Sequence, residues 1–421
     1  MRRDDQSMGS AMKNVVFVAP YALEATVRFV DAVARVEDAR VGLVSSDAVE
    51  AFPEPVRRVI AGHWRTDDCL DVDQLVNATS RMQAHLGSVD RLVGILENLQ
   101  VPLGAVRDRM GIEGFGAAVA DNFRDKSRMK AAFEAAEVPC ARSQRVDSED
   151  DVRAFAARVG FPFVAKPLAG AGARNTFRVD RAEQMEQWLA SSAPHHGDPM
   201  LLEEFITGAE HSFDSVVING RLVWYSIGRY LPTPLDVLEN PWIQWCVLLP
   251  RDVAGPEYAD LAGVATHAVT SLGLQTGFSH MEWFRRPDGS FAISEVGARP
   301  PGAQFMTLMS YAHDVDMYAA WARLAVHDWF RPPERRYAVG AAYLRAQGQG
   351  RAIVAAHGLD QVSLESRELI VDARLPAPGD PPTGTYEGDG LVIVRADETA
   401  AVERALAEIV GKIRLELGDV R

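Results

Sequence analysis

One short stretch constrains this chain more than any other. Between Gly277 and Arg299 an apolar run containing Glu282 turns at Asp288-Gly289 and returns as an apolar run containing Glu295. Asp-Gly is the strongest short signal for a two-residue hairpin turn. Such a turn fixes the register: Glu282 faces Glu295, His280 faces Gly297, Met281 faces Val296, and Phe284 faces Ile293. Apolar partners on both faces read as a buried hairpin. Like charges opposed there are destabilising. Either one carboxyl keeps its proton or a cation lies between the two. A divalent metal is the simplest solution, so Glu282 and Glu295 are expected metal ligands at the centre of the chemistry.

The rest of the chain has room to serve such a site. Its 421 residues can hold two to four domains with a large core. A net charge of −14 argues against nucleic acid or an anionic membrane as partner. No apolar run approaches the ~18 residues needed to span a bilayer. The run 14–22 reads as a first strand, not a signal peptide. Cys69, Cys140 and Cys246 are scattered and lack metal-ligand spacing, which points to a reducing, cytoplasmic compartment and to core roles.

Strand-like runs at 15–19, 41–45 and 91–96 alternate with helical patterns at 22–36 and 71–86, the signature of βαβ units on a parallel sheet. No Gly-x-Gly-x-x-Gly follows the first strand, so a dinucleotide site there is unsupported. Beyond Asn122 the style changes. A helix opens at Asp125-Lys126, a strand ends at Lys166-Pro167, and a Gly/Ala-rich loop fills 168–175. Next come a strand at 200–206, a hairpin around Asn219-Gly220, a helix at 258–272, the opening hairpin, and one helix over about 307–327. A linker at 331–336 leads to a tail of short strands with a helix at 398–415. The expected divisions are a leader (1–12), an N-terminal βαβ domain (13–120), two central subdomains (121–205 and 206–330) and a C-terminal α+β domain (331–421).

Positive charge is written as arginine: 39 Arg against 5 Lys, at positions 13, 126, 130, 166 and 412. Lys166 ends an apolar strand and precedes a loop containing Gly170 and Gly172, whose backbone N–H groups can approach phosphate oxygens. The alternative is a surface lysine before a loop. Lys126 alone reads equally as a solvated first-turn residue. Glu203 and Glu204 interrupt an apolar strand whose edge, through Ile206, could read an adenine, and Glu210 could take a ribose hydroxyl pair. Acids at a strand end also commonly just meet water. Arg299, beyond Val296-Gly297-Ala298, could hold a carboxylate or acyl phosphate bidentately, or pair with one of the glutamates. His280 lies on the Glu282 face, as a substrate-orienting group, a proton acceptor or a satisfied core histidine. Trp242, Trp245 and Trp283 read as packing.

Together these residues resemble the ATP-grasp superfamily, and within it the carboxylate–amine ligases with a biotin-carboxylase-like layout, which include bacterial amino-acid (dipeptide) ligases. The motifs are Asp125-Lys126…Met129, Phe163-Val-Ala-Lys166-Pro, the Gly170–Gly172 loop, Glu203-Glu204-Phe205-Ile206, Gly208-x-Glu210, Glu282, and Glu295-x-x-x-Arg299-x-x-Gly302. The likeness is strong over 120–330 and looser outside it. It implies an α/β and α+β multidomain chain: an ATP-grasp fold with a Rossmann-like N-terminal domain and a C-terminal α+β domain.

The resemblance also implies roles. Lys126 and Lys166 would contact ATP phosphates beneath the glycine loop. Glu203 by its side chain, with Glu204 and Ile206 by backbone, would hold adenine, and Glu210 would hold ribose. Glu282 and Glu295 would carry Mg²⁺, with Mn²⁺ as an alternative. Arg299 would steady an acyl phosphate. The family's frequent asparagine two residues after the second metal glutamate is Gly297 here, and Ala303 would leave room in an acceptor pocket. The implied activity is an ATP-dependent, ADP-forming carbon–nitrogen ligase acting on small carboxylates and amines, as a homodimer. Biotin-carboxylase-like, purine-pathway and non-catalytic nucleotide-binding readings are the alternatives.

Overall fold

The computed structural model describes residues 12–170, 175–192, 194, 198–240 and 242–419. Most of the leader and Gly172 lie outside the described residues. Backbone contacts divide the chain into two units. The first comprises 1–121 with 275–277 and 318–331, and the second the remainder.

The first unit is a four-stranded, all-parallel sheet in the order Gly62–Arg65, Ala39–Ser45, Lys13–Val18, Arg91–Val93. The near-continuous apolar strands are buried on both faces, as helical crossovers require. The helix Val72–Leu86 starts at Asp71, whose side chain accepts from the backbone N–H groups of Asp73 and Gln74. Its Leu75, Ala78 and Met82 join Val16, Val18, Val44 and Leu92 in one core. The edge strand Gly62–Arg65 escapes a sequence reading, because Gly-His-Trp-Arg carries no apolar run.

The second unit holds a four-stranded sheet ordered Ser143–Val146, Met200–Glu204, Phe163–Pro167, Phe177–Val179. It also holds an eight-stranded sheet ordered Phe291–Gly297, Gly277–Arg285, Ala209–Ile218, Arg221–Leu231, Trp245–Leu249, Ala338–Leu344, Gly390–Ala396, Ile370–Arg374. Three of the tail strands thus extend the sheet that begins with the glutamate hairpin, while Ala346–Gly348, Arg414–Gly418 and Ala352–His357 form a separate three-stranded sheet.

Three expectations are corrected. The helix expected over 307–327 is two helices, Phe305–His313 and Met317–His327, because Asp314 turns left-handed at φ +55° and ends the first. Trp242 is exposed, unlike the buried Trp245 and Trp283. The third correction concerns the hairpin turn.

Candidate active site

The hairpin turn is not the two-residue Asp288-Gly289 form. Arg286 N–H donates to Ser290 O, and Gly289 N–H to Arg286 O, both at 2.9 Å, with Gly289 at φ +84°. This three-residue loop pairs Arg285 with Phe291, Phe284 with Ala292 and Trp283 with Ile293. The expected Phe284–Ile293 pair is therefore out by one residue. A β-bulge at Ser294 then restores the register, so that Glu282 faces Glu295, Met281 faces Val296 and His280 faces Gly297. Without the bulge Glu295 would oppose Met281, a fully buried core residue, and point to the other face. The opposed carboxylates exist because two shifts cancel.

Three of the five lysines converge on this region. Asp125 caps the helix Lys126–Ala135, accepting from the N–H groups of Ser127 and Arg128, and so places Lys126 and Lys130 one turn apart. Lys126 Nζ donates to Glu295 Oε1 at 2.8 Å and to the Gly170 carbonyl at 3.2 Å. Lys166 Nζ lies 2.6 Å from Glu203 Oε2, and Lys130 Nζ lies 3.1 Å from Glu203 Oε1. Lys130 also donates to the carbonyls of Ser294 at 2.8 Å and Ile293 at 3.2 Å. All three lysines are buried.

The charges settle accordingly. Burial pushes Glu203 upward, but Lys130 and Lys166 outweigh it and hold the carboxyl down at about 2. Burial opposes charge on Lys166 as well, but Glu203 and Glu295 prevail and raise it. Burial and then the facing Glu295 raise Glu282. Glu295 is itself held low, because Lys126 and Lys166 overcome its burial. Of the opposed pair, Glu282 keeps its proton longer.

A second group lines the same sheet. Glu210, Ser212 and Asp214 alternate along Ala209–Ile218 and share one face. Asp214 accepts from Ser212 Oγ at 3.2 Å and sits 2.7 Å from His280 Nδ1, leaving His280 Nε2 3.9 Å from Glu282. Burial lowers His280, yet Asp214 and then Glu282 raise it above the ordinary histidine value, against a smaller opposing push from Arg299. Burial, Glu282 and Asp236 push Glu210 well above the carboxylate range.

The other expected residues are placed as follows. Glu204 pairs with Arg142 at 2.5 Å and Arg286 at 3.0 Å, while its backbone N–H donates to Arg142 O at 2.9 Å. Ile206 lies just past that strand's end, half-buried. Gly170 accepts from Lys126 and Arg124. Arg299 directs Nη1 to the Pro300 carbonyl at 2.9 Å, half-buried and close enough to His280 to oppose its charge. The sequence reading missed Asp214 and the position of Lys130. Asp214 was visible as the third polar residue of a period-2 face. Lys130 was not, because its partners lie at a bulge that no pattern announces.

Glu282 and Glu295 suit a small divalent cation. Two carboxylates at one bridge position supply opposed oxygens, and their mutual repulsion is what a cation removes. Among the described residues no cluster of three His, Cys, Asp or Glu forms a metal site. The pair alone suffices for a hard cation that completes its shell with phosphate oxygens and water.

Residues 131–313 match the family model of the ATP-grasp domain, which spans all these elements except the turn carrying Lys126 and Lys130's own helix start. The chain carries an ATP-grasp domain. It is 23% identical over 227 residues to an L-arginine-specific L-amino acid ligase of Bacillus subtilis, covering 53% of this chain and 54% of that protein. It is 29% identical over 230 residues to an alanine–anticapsin ligase of Bacillus amyloliquefaciens, covering 50% and 48%. The chain spans about half the length of the curated relatives it matches. In fold it resembles the crystal structure of an L-amino acid ligase from Bacillus licheniformis, with a TM-score of 0.77 over 97% of this chain and all of that one, at 16% identity. The ATP-grasp architecture, α/β and multi-sheeted, is thereby established. Among the described residues no helix is long and apolar enough to cross a membrane.

Proposed function

We propose that this chain is an ATP-dependent, ADP-forming ligase that joins a carboxylate to an amine, with amino acids as substrates. The observation that carries the reading is the convergence of three buried ammonium groups on Glu203 and Glu295, with Glu282 opposed to Glu295. Such a grouping suits a polyphosphate with its cation. Lys126 and Lys166 would pass from their carboxylates to phosphate oxygens. Glu282 and Glu295 would hold Mg²⁺, which neutralises phosphoryl oxygens when bound. Glu210 would hold ribose, and Glu203 by its side chain, once Lys166 leaves it, with Glu204 and Ile206 by backbone would hold adenine.

In the reaction a substrate carboxylate oxygen attacks the γ-phosphorus, the bond to ADP breaks, and an acyl phosphate forms. The amine nitrogen then attacks the acyl carbon, phosphate leaves, and the nitrogen gives up a proton. Arg299 would hold the acyl phosphate, and His280, oriented by Asp214, would meet the amine. The activities of the amino-acid ligase relatives support this choice over a carboxylase. The homodimeric assembly and the finer subdomain boundaries remain part of this proposal, and sedimentation tests the first.

The test is product analysis with Mg-ATP over pairwise amino acids. The reading expects ADP and phosphate in step with a new amide. AMP and pyrophosphate would overturn it in favour of adenylation, and biotin- and bicarbonate-dependent ADP release would favour a carboxylase.

A further inference from the structure

In a regular antiparallel strand, successive carbonyls point to opposite sides, so one donor cannot take two in a row. Lys130 Nζ does take two in a row, from Ile293 and Ser294. It can do so because the bulge sits there and turns both carbonyls the same way. The strand Phe291–Gly297 is the edge of the eight-stranded sheet, and its outer side is met by an isolated parallel bridge between Cys140 and Ile293. The neighbouring Ile293 N–H is also claimed from outside the sheet, by Pro139 O at 2.8 Å. The third contact of the same ammonium is Glu203, the carboxylate that holds Lys166.

We infer that Lys130 is a positioning residue for the nucleotide–metal site: it pins the Ser294 bulge that turns Glu295 toward Glu282, and it shares Glu203 with Lys166. One buried side chain thereby sets the aim of a metal carboxylate and of a phosphate lysine. Its own contacts are to protein groups: the carbonyls of Ile293 and Ser294 and the carboxylate of Glu203, a set that holds a buried charge at one geometry.

The inference rests on the nucleotide and metal assignment proposed above, and its test separates the two. ADP affinity is measured by calorimetry with and without Mg²⁺, and the ratio of the two dissociation constants is the metal linkage. Loss of bulge control in Lys130→Met should cut that ratio by about tenfold or more, the scale on which outer partners of metal ligands act. Metal-free ADP binding should weaken less, because Lys166–Glu203 survives as a neutral pair. Lys130→Gln keeps donors for both carbonyls without the charge. Its linkage should fall between wild type and Lys130→Met, and it serves as the test variant where Lys130→Met fails to fold. The spectrum of Mn²⁺ bound with ADP should change in Lys130→Met and return toward wild type in Lys130→Gln.

If wild type shows metal linkage and both variants show the same ratio, Lys130 merely neutralises Glu203 and the inference falls alone. If wild type itself binds ADP no more tightly with Mg²⁺, the nucleotide–metal reading falls and takes the inference with it.

Discussion

Glu282 carries the unresolved electrostatic cost of the site. Its folded-state carboxyl titrates above the ordinary value of 4.5, because it is buried and faces Glu295. The sign follows directly. The folded chain holds this proton to higher pH than the unfolded chain does, so stability is lost as pH rises from 4.5 through the raised value. Glu282→Gln removes that loss. Without added metal or nucleotide, the variant should melt no lower than wild type at neutral pH, with a flatter dependence above pH 4.5. Turnover in the proposed ligase reaction should fall by more than about a hundredfold, beyond what losing an outer-shell partner costs. Thermal melts across pH beside a turnover assay check both halves. A variant that is both less stable and fully active would remove Glu282 from the metal site. Residue identity was the most legible level in the sequence: Lys126, Lys166, Glu203, Glu282 and Glu295 could all be picked out before any contact was known. Who pairs with whom could not. The contacts joining Lys126 to Glu295 and Lys130 to Ser294 cross more than 160 positions, which no local pattern encodes.

Elements decide how firmly those residues are held. Gly208 follows the strand Met200–Glu204 at φ +155°, and a Cβ there would come within 2.2 Å of the Arg285 carbonyl on the glutamate hairpin. That close approach ties the segment carrying Glu203 and Ile206 to the hairpin carrying Glu282. Gly208→Ala must push the two apart. It should cost about 1–3 kcal/mol of stability, the range for a strained backbone position, and weaken nucleotide binding as well. Urea unfolding together with ADP titration checks this. An unchanged affinity would mean that the two segments bind nucleotide independently. Element types were largely readable from the sequence, as for the helices that open at Asp71 and Asp125. Breaks within elements were not. The left-handed Asp314 splits a helix whose apolar pattern continues past it, and the Ser294 bulge leaves the composition of its strand unchanged. The facing of Glu282 and Glu295 was legible only because a three-residue loop and a one-residue bulge offset each other.

At the scale of the whole molecule, the alternating strand-like and helical runs before Asn122 form a four-stranded parallel sheet with its helices, and the chain divides into two compact units. The membership of three tail strands in the central sheet was hidden, because strand order within a sheet is a long-range property that short apolar runs do not specify. Overall charge was equally plain and equally silent about the site, since a chain of net charge −14 buries three of its five lysines out of the surface field. The pairing of Lys126 with Glu295 and of Lys166 with Glu203 gives that field a consequence. Each ammonium already has an anion, so a nucleotide does not meet an open basic cleft; it exchanges one counter-ion for another inside a shielded interior. Ionic strength acts on charges that face solvent and only weakly on buried ones. Mg-nucleotide affinity should therefore change by less than about threefold between roughly 50 and 300 mM monovalent salt, where diffuse attraction would fall away steeply. If these lysines take the phosphates as proposed, nucleotide uptake depends on an internal trade of partners and is largely indifferent to the salt around it.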